Sequence, residues 1–370
     1  MKIMLLHASA GAGHKRAAEA LASAFRLLRP DAETRICDIL DFTPALFRKT
    51  YADGYLDLVR KMPELWGYIY SQTDRNAHVP WRREVRSVFN KISTVKFQKV
   101  YRQFDPDIVV CTHFMPLQLL TTGALHENRF ARVFCQVTDF AVHALWIFEG
   151  VETYYVAIEE ARRHLIRAGQ SPDRVKALGI PIDPVFETCL SRTEALTRLD
   201  LPADLPAVLI LSGGCGIGPT LELIRSFERE KPFCRLLVVA GSNEQLRHDA
   251  EELAARIETP VSVYGFVRNI DVMMDACELI VTKPGGLTSS EALAKSKPML
   301  IVNPIPGQEQ RNCEVLLESG AAARLFEVDD ACHKIRTLLS DPPRLQRMSR
   351  SARDLSRPSA ARTIAADILS

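Results

Sequence analysis

His14 follows directly on a glycine turn, Gly11-Ala12-Gly13, which itself joins a short apolar run to an alanine-rich helical pattern. An imidazole at a helix start, titrating near neutrality, can take a proton from a hydroxyl. The backbone N–H groups and dipole of such a start also attract an anion or ligand oxygens. The strand, turn and helix order recurs in the second half, first as Leu211-Ser212-Gly213-Gly214-Cys215-Gly216-Ile217-Gly218-Pro219. It returns as Lys283-Pro284-Gly285-Gly286 before a helix expected to begin near Thr288. Two such turns in one domain suit both phosphates of a nucleotide diphosphate without a metal, and neither has P-loop spacing. Thr288-x-x-Glu291 also fits a capping box, in which the carboxylate only satisfies a backbone donor. Downstream, PIPGQEQRN places Gln308, Glu309 and Asn312 after a Pro-Gly turn, with Gln308 and Asn312 on one helical face. Amide and carboxyl groups gathered there suit a polyhydroxylated ligand, whose hydroxyls both donate and accept.

These residues need elements to carry them. Apolar runs alternate with helical patterns almost throughout, the signature of parallel sheets covered by helices, so the fold class is α/β. Strands are expected at 3–7, 34–37, 107–111, 132–137, 208–211, 235–240, 261–264, 279–282 and 299–302, and a helix at Ala17–Leu28 closed by Pro30. The βα alternation is most regular before Gly179 and after Pro206, and the proline-bearing stretch between reads as a linker. Two doubly wound, Rossmann-like halves would hold ligands at the carboxyl ends of their strands, in a cleft between them. Asp38 ends the second strand as in a dinucleotide fingerprint, but Arg16 occupies the third glycine position and argues against it. Asp105-Pro106-Asp107 precedes its strand, at the wrong end for such a cleft, and reads as a turn rather than a metal site.

A chain of 370 residues suits two domains of roughly 150 to 200 residues each. A net charge of +2 with 25% charged residues demands no nucleic-acid partner. The nine cysteines form no C-x-x-C pair and read as buried, reduced thiols of a cytosolic protein. No apolar run approaches the roughly 20 residues of a spanning helix, so contact with a membrane is expected from its surface. Residues 51–102 suit that role, with Trp66 and Trp81 beside Arg82, Arg83 and Arg86 and an apolar face of Val85, Phe89 and Ile92. The plainer alternative is a solvated helix packed on the first domain.

Taken in order, HASAGAGHKRAAEAL, VTDFAVHALW, GIPIDPVF, SGGCGIGP, GFVRNIDVMMDACELIVTKPGGLTSSEAL and PIPGQEQRN resemble the family of plant monogalactosyldiacylglycerol synthases and bacterial processive diacylglycerol glucosyltransferases. The resemblance implies a GT-B fold, with an acceptor domain at 1–184 and a UDP-sugar domain at 185–350. Residues 351–370 would form a C-terminal helix able to return to the first domain. It further implies the backbone at Phe266 and Val267 for uracil, Glu291 for ribose, and Gly13, Ser212, Gly213, Gly214, Gly285, Gly286 and Thr288 toward the phosphates. Gln308, Glu309 and Asn312 would face the sugar, and Gly11, His143 and Trp146 the acceptor. His14 would be the base, and Asp139 could orient it, replace it, or only cap the next helix. The activity implied is inverting transfer of a hexose from UDP-glucose or UDP-galactose to diacylglycerol or a related lipid, without cofactor or metal, at the cytoplasmic face of an anionic membrane. A polyprenyl-linked acceptor taking N-acetylglucosamine, or a noncatalytic UDP-sugar binder, are the alternatives.

Overall fold

Along Lys2–His7 (β1), Ile3 and Leu5 point to one face of a sheet while Met4 and Leu6 point to the other, and all four are fully buried. Burial on both faces is why the strand reads as one unbroken apolar run. The computed structural model describes residues 1–9, 11–44, 62–75, 96–122, 131–213, 216 and 218–370. Trp81, Arg82, Arg83, Arg86, the apolar positions 85, 89 and 92, and Gly214 lie outside them. Among the described residues the chain forms two units, one of Met1–Pro184, Ile305–Arg311 and Ser359–Ser370, the other of Val185–Pro304 and Asn312–Pro358.

The first unit is built on a six-stranded sheet of order β2-β1-β3-β4-β5-β6, every pairing parallel. Its further strands are β2 (Glu33–Asp38), β3 (Ile108–Cys111), β4 (Arg132–Gln136), β5 (Thr153–Val156) and β6 (Val175–Ala177). Helix α1 (Ala12–Leu28) lays Ala18, Leu21, Ala22 and Phe25 on the face carrying Ile3 and Leu5. Ile364 and Ile368 of the last helix, Ala360–Leu369, complete that layer. Asp367 of this helix takes bonds from Lys176 Nζ (2.6 Å) and the Tyr155 hydroxyl (2.8 Å).

The second unit repeats the plan with the order β12-β11-β10-β7-β8-β9, again all parallel. Its strands are β7 (Ala207–Leu211), β8 (Arg235–Val239), β9 (Val261–Tyr264), β10 (Leu279–Thr282), β11 (Met299–Ile301) and β12 (Ala322–Arg324). A buried ion pair, Lys295 Nζ to Asp275 Oδ2 at 2.7 Å, pins the entry of this unit. Lys295 also donates to the Thr188 carbonyl, and Asp275 accepts from the Leu190 N–H.

Several sequence expectations change. Helix α1 starts at Ala12 rather than Ala17, because Gly11 at φ +138° turns the chain straight into it. The expected linker contains a helix, Arg192–Arg198, held by a capping box between Ser191 and Glu194. Residues 351–355 finish the helix Pro342–Leu355, and the final helix begins only at Ala360. The segment Ile305–Arg311, expected in the second domain, groups with the first unit. Among the described cysteines, Cys189 is exposed while seven others are buried. Asp38 accepts from the backbone of Leu40 and Ser9, and Asp107 from the Lys2 N–H, so both carboxylates serve strand ends.

Candidate active site

In each sheet the chain reverses the direction in which strands are added at one place, and a crevice opens at the carboxyl ends of the two strands there. In the first unit these strands are β1 and β3, in the second β7 and β10. The glycine turns found in the sequence follow three of these four strands, and Thr112-His113 follows the fourth.

His14 is the third residue of α1. Its Nδ1 lies 2.9 Å from the Thr112 carbonyl and 2.8 Å from Thr138 Oγ1, and Thr112 Oγ1 donates back to the His14 carbonyl at 2.8 Å. A carbonyl only accepts, so Nδ1 carries the proton and Nε2 presents a lone pair. Burial lowers the imidazole pKa, against the upward pull of the Asp139 carboxylate and of the Thr112 carbonyl, so the ring is neutral at pH 7. His113 meets it edge-on at 4.5 Å between ring centres, and Trp146 stands 6.3 Å away. His113 accepts the Met115 N–H at Nδ1, and burial holds its pKa well below the usual value.

Ahead of His14, α1 begins without a side-chain cap and without an acid in its first turn. Its first N–H groups are therefore not satisfied by a capping side chain. Gly11 has nothing within 4 Å of where a Cβ would stand, so its glycine is required by backbone conformation and not by crowding. His143 and Trp146 are 3% and 4% exposed, which removes them from any membrane-facing surface; Trp146 instead walls the His14 site. His143, not Asp139, caps the short helix Ala144–Trp146, its Nδ1 accepting from Leu145 N. The N-cap reading of Asp139 is thereby corrected, and its carboxylate acts electrostatically on His14. Trp66 stands in the helix Pro63–Arg75.

In the second unit the helix α9, counted in chain order, is Gly286–Ala294, with Gly285 as its N-cap and no capping side chain. Thr288 sits inside its first turn, so the capping-box reading of Thr288 and Glu291 is wrong, as is the later start. Glu291 is buried at 2% exposure. Asn312 is wholly buried and donates from Nδ2 to the Pro284 carbonyl at 3.0 Å, bracing the Lys283–Gly286 turn. Ser212 turns inward onto Thr220 (Oγ to Oγ1, 2.7 Å), and Gly213 at φ +74° and Gly216 at φ +62° are among the described glycines of that loop. Phe266 is 73% exposed after β9, with Val267 partly covered beside it. Gln308 and Glu309 open the helix Gln308–Glu318, where Glu309 Oε2 accepts from Ile305 N at 2.9 Å.

The residues that sequence reasoning passed over are Thr112, His113 and Thr138. A polar Thr-His pair ending the apolar strand IVVC was the available signal, since a strand's carboxyl end is where such sheets bind ligands. No group of three or more His, Cys, Asp or Glu able to hold a metal ion occurs among the described residues. No described helix is long and apolar enough to cross a membrane.

Residues 14–182 match the family model for monogalactosyldiacylglycerol (MGDG) synthase, and residues 220–355 match that for glycosyl transferases group 1. A processive diacylglycerol beta-glucosyltransferase of Bacillus mycoides is 28% identical over 377 residues, covering 100% of this chain and 93% of that protein. MurG of Acinetobacter baumannii superposes with a TM-score of 0.62 at 16% identity, covering 100% and 99% of the two chains. Anabaena HepE in complex with UDP-glucose gives 0.55 at 14% identity, covering 100% and 99%. Those two structures speak for the fold, the two-unit GT-B architecture. With a family model matched in each half and a relative aligned along the whole length, the chain is similar to the monogalactosyldiacylglycerol synthases and processive diacylglycerol glucosyltransferases.

Proposed function

We propose that the chain transfers a hexose, glucose before galactose, from a UDP-sugar to diacylglycerol or a related lipid, with inversion at the anomeric carbon. The observation that carries this reading is the tautomer of His14. Its Nδ1–H is committed to the Thr112 carbonyl, so Nε2 is the basic atom, held neutral at a helix start. In the reaction the acceptor hydroxyl oxygen bonds to the anomeric carbon as its proton passes to Nε2. The bond from that carbon to the β-phosphate oxygen breaks, and UDP leaves with the electron pair. The uncapped N–H groups of α9 are suited to the charge that develops on the leaving diphosphate. No step of this scheme calls for a metal. The Asp139 carboxylate favours the imidazolium that forms and so assists proton uptake.

The glucosyltransferase relative supports glucose as donor sugar and diacylglycerol as acceptor. The basic, aromatic composition of residues 81–102 supports collection of the lipid from an anionic membrane surface on the cytoplasmic side. Purified protein incubated in EDTA with UDP-glucose or UDP-galactose and diacylglycerol in anionic mixed micelles tests the reading. Hexosyl-diacylglycerol from UDP-glucose, resolved by mass, is the expected product. UDP binding without any glycolipid from either donor would refute the acceptor. Failure to bind anionic vesicles at low salt would refute the surface role.

A further inference from the structure

The helix α2 (Pro63–Arg75) carries Gly67, Tyr70 and Asp74 at spacings of three and four, which places them on one face. That face meets the segment Ile305–Arg311 residue by residue. A Cβ on Gly67 would stand 2.7 Å from Pro306 Cβ, so glycine is what lets the two backbones approach. Gly307, at φ +101°, lies flat on the Tyr70 ring, and a Cβ there would come within 2.8 Å of Tyr70 Cγ. Arg311 then closes the contact. Its guanidinium bonds Asp74 Oδ2 at 2.5 Å and lies 5.5 Å from the centre of the Tyr70 ring.

Asp74 also faces the other way. Its Oδ1 accepts from the Ala144 N–H at 3.0 Å, at the start of the short helix that carries Trp146. His143 Nε2 donates to the Tyr70 carbonyl at 3.0 Å, and the two rings are 4.2 Å apart. Burial works to raise the Asp74 pKa, but the bonds from Arg311 and Ala144 prevail and hold the carboxyl below its usual range. The carboxylate, 14% exposed at its side chain, therefore stays ionised between a guanidinium and a backbone N–H. From Asp74 the packing continues through Ala144 and Trp146 to His14.

We infer that Asp74 and Arg311 are positioning residues, which fix the turn bearing Gln308 and Glu309 on α2 in the same unit as the His14 base. The inference rests on the reading of that turn as sugar-facing. Gln308 and Glu309 occupy the first helical turn, and Arg311 follows at the spacing that puts it beside Gln308. Loosening Arg311 thus frees the residues that would hold the hexose, while leaving the uracil and phosphate turns of the other unit intact. The pair sets selectivity for the sugar over the bare nucleotide.

The test compares UDP-glucose with UDP, by calorimetry, on wild-type protein, Asp74→Asn, Arg311→Gln and the double variant. Each single variant is expected to bind UDP-glucose about tenfold more weakly, the worth of one charge-assisted hydrogen bond, with UDP affinity held within about twofold. The double variant is expected to match the weaker single one, as for two residues acting as a unit. The exchange Asp74→Arg with Arg311→Asp is expected to recover part of the loss, which a general folding defect would not do. Wild-type protein that binds no UDP-glucose overturns the functional reading and this inference with it. Wild-type binding with UDP-glucose affinities unchanged in the variants, with equal losses for UDP and UDP-glucose, or with additive losses in the double variant, overturns this inference alone.

Discussion

Three substitutions around His14 separate its tautomer from the competing assignment of Asp139 as the base. His14→Ala removes the group that takes the proton, and loss of a general base lowers kcat by about 10²- to 10⁴-fold, or about 3–5 kcal/mol. Thr138→Val removes one of two oxygens beside Nδ1, while the Thr112 carbonyl at 2.9 Å still fixes the tautomer. That costs one neutral hydrogen bond, about 0.5–1.5 kcal/mol, or about two- to tenfold in kcat. Asp139→Asn takes away a charge that raises the His14 pKa, so the pKa falls further. The base works only when unprotonated, so kcat/KM rises with pH through the His14 pKa. In Asp139→Asn this acid limb moves to lower pH. The plateau above it drops by about tenfold or less, since a less basic imidazole is a weaker base that is still in the right form. Initial rates of hexosyl-lipid formation from acid to neutral pH, with melting curves on each variant, provide the measurement. Asp139→Asn inactive at every pH, with His14→Ala keeping most of the wild-type rate, would refute the reasoning and make Asp139 the base.

Two further outcomes follow from the second unit. Gly216 is at φ +62°, and a Cβ there would stand 2.5 Å from Asn243 Cβ and 2.6 Å from the Ala240 carbonyl oxygen. Gly216→Ala is expected to cost about 1–2 kcal/mol in backbone strain and about 1–3 in overpacking, lowering the melting temperature by about 2–4 °C per kcal/mol. An unchanged calorimetric transition would contradict the turn geometry. Lys295→Met leaves the Asp275 carboxylate buried without its counter-charge and is expected to cost about 3–5 kcal/mol. Denaturant midpoints check this, with Lys295→Met/Asp275→Leu recovering much of the loss if the buried charge is the cause.

What the sequence makes legible here is what burial on both sheet faces dictates. LIVT, buried at all four positions, is found at its observed bounds, since parallel strands covered on both faces are near-continuous apolar runs, and the half-buried edge strand VSVY is found by its β-branched and aromatic residues. VKA and AAR are not found, because three residues with Lys176 and Arg324 among them become strands only through pairing with β5 and β11. The start of α1 is hidden for a similar reason: Ala12 to Arg16 has no apolar period, and a backbone angle at Gly11 sets the boundary. His14 is conspicuous in sequence, but its partners Thr112 and Thr138 are 98 and 124 residues away. Asn312 shows the opposite limit: its type suits a sugar, but sequence does not reveal that its Nδ2 braces the Pro284 carbonyl 28 residues away.

The two units use one device for two ends. Each sets an uncapped helix start after a glycine, at the point where its sheet changes direction. In α9 the first-turn residues are Gly286, Leu287 and Thr288, none of them ionisable, and the positive end of the helix is left for an anion. In α1 the third position is His14, and the same positive end acts on an imidazole. It disfavours the imidazolium, in the same direction as burial, and so keeps Nε2 unprotonated at neutral pH. Asp139 pulls the other way and raises the basicity of the ring. In the proposed mechanism, a base tuned between these opposing fields gains its proton as the acceptor oxygen forms its bond to the sugar, and the charge then developing on the departing diphosphate is the kind an uncapped helix start stabilises.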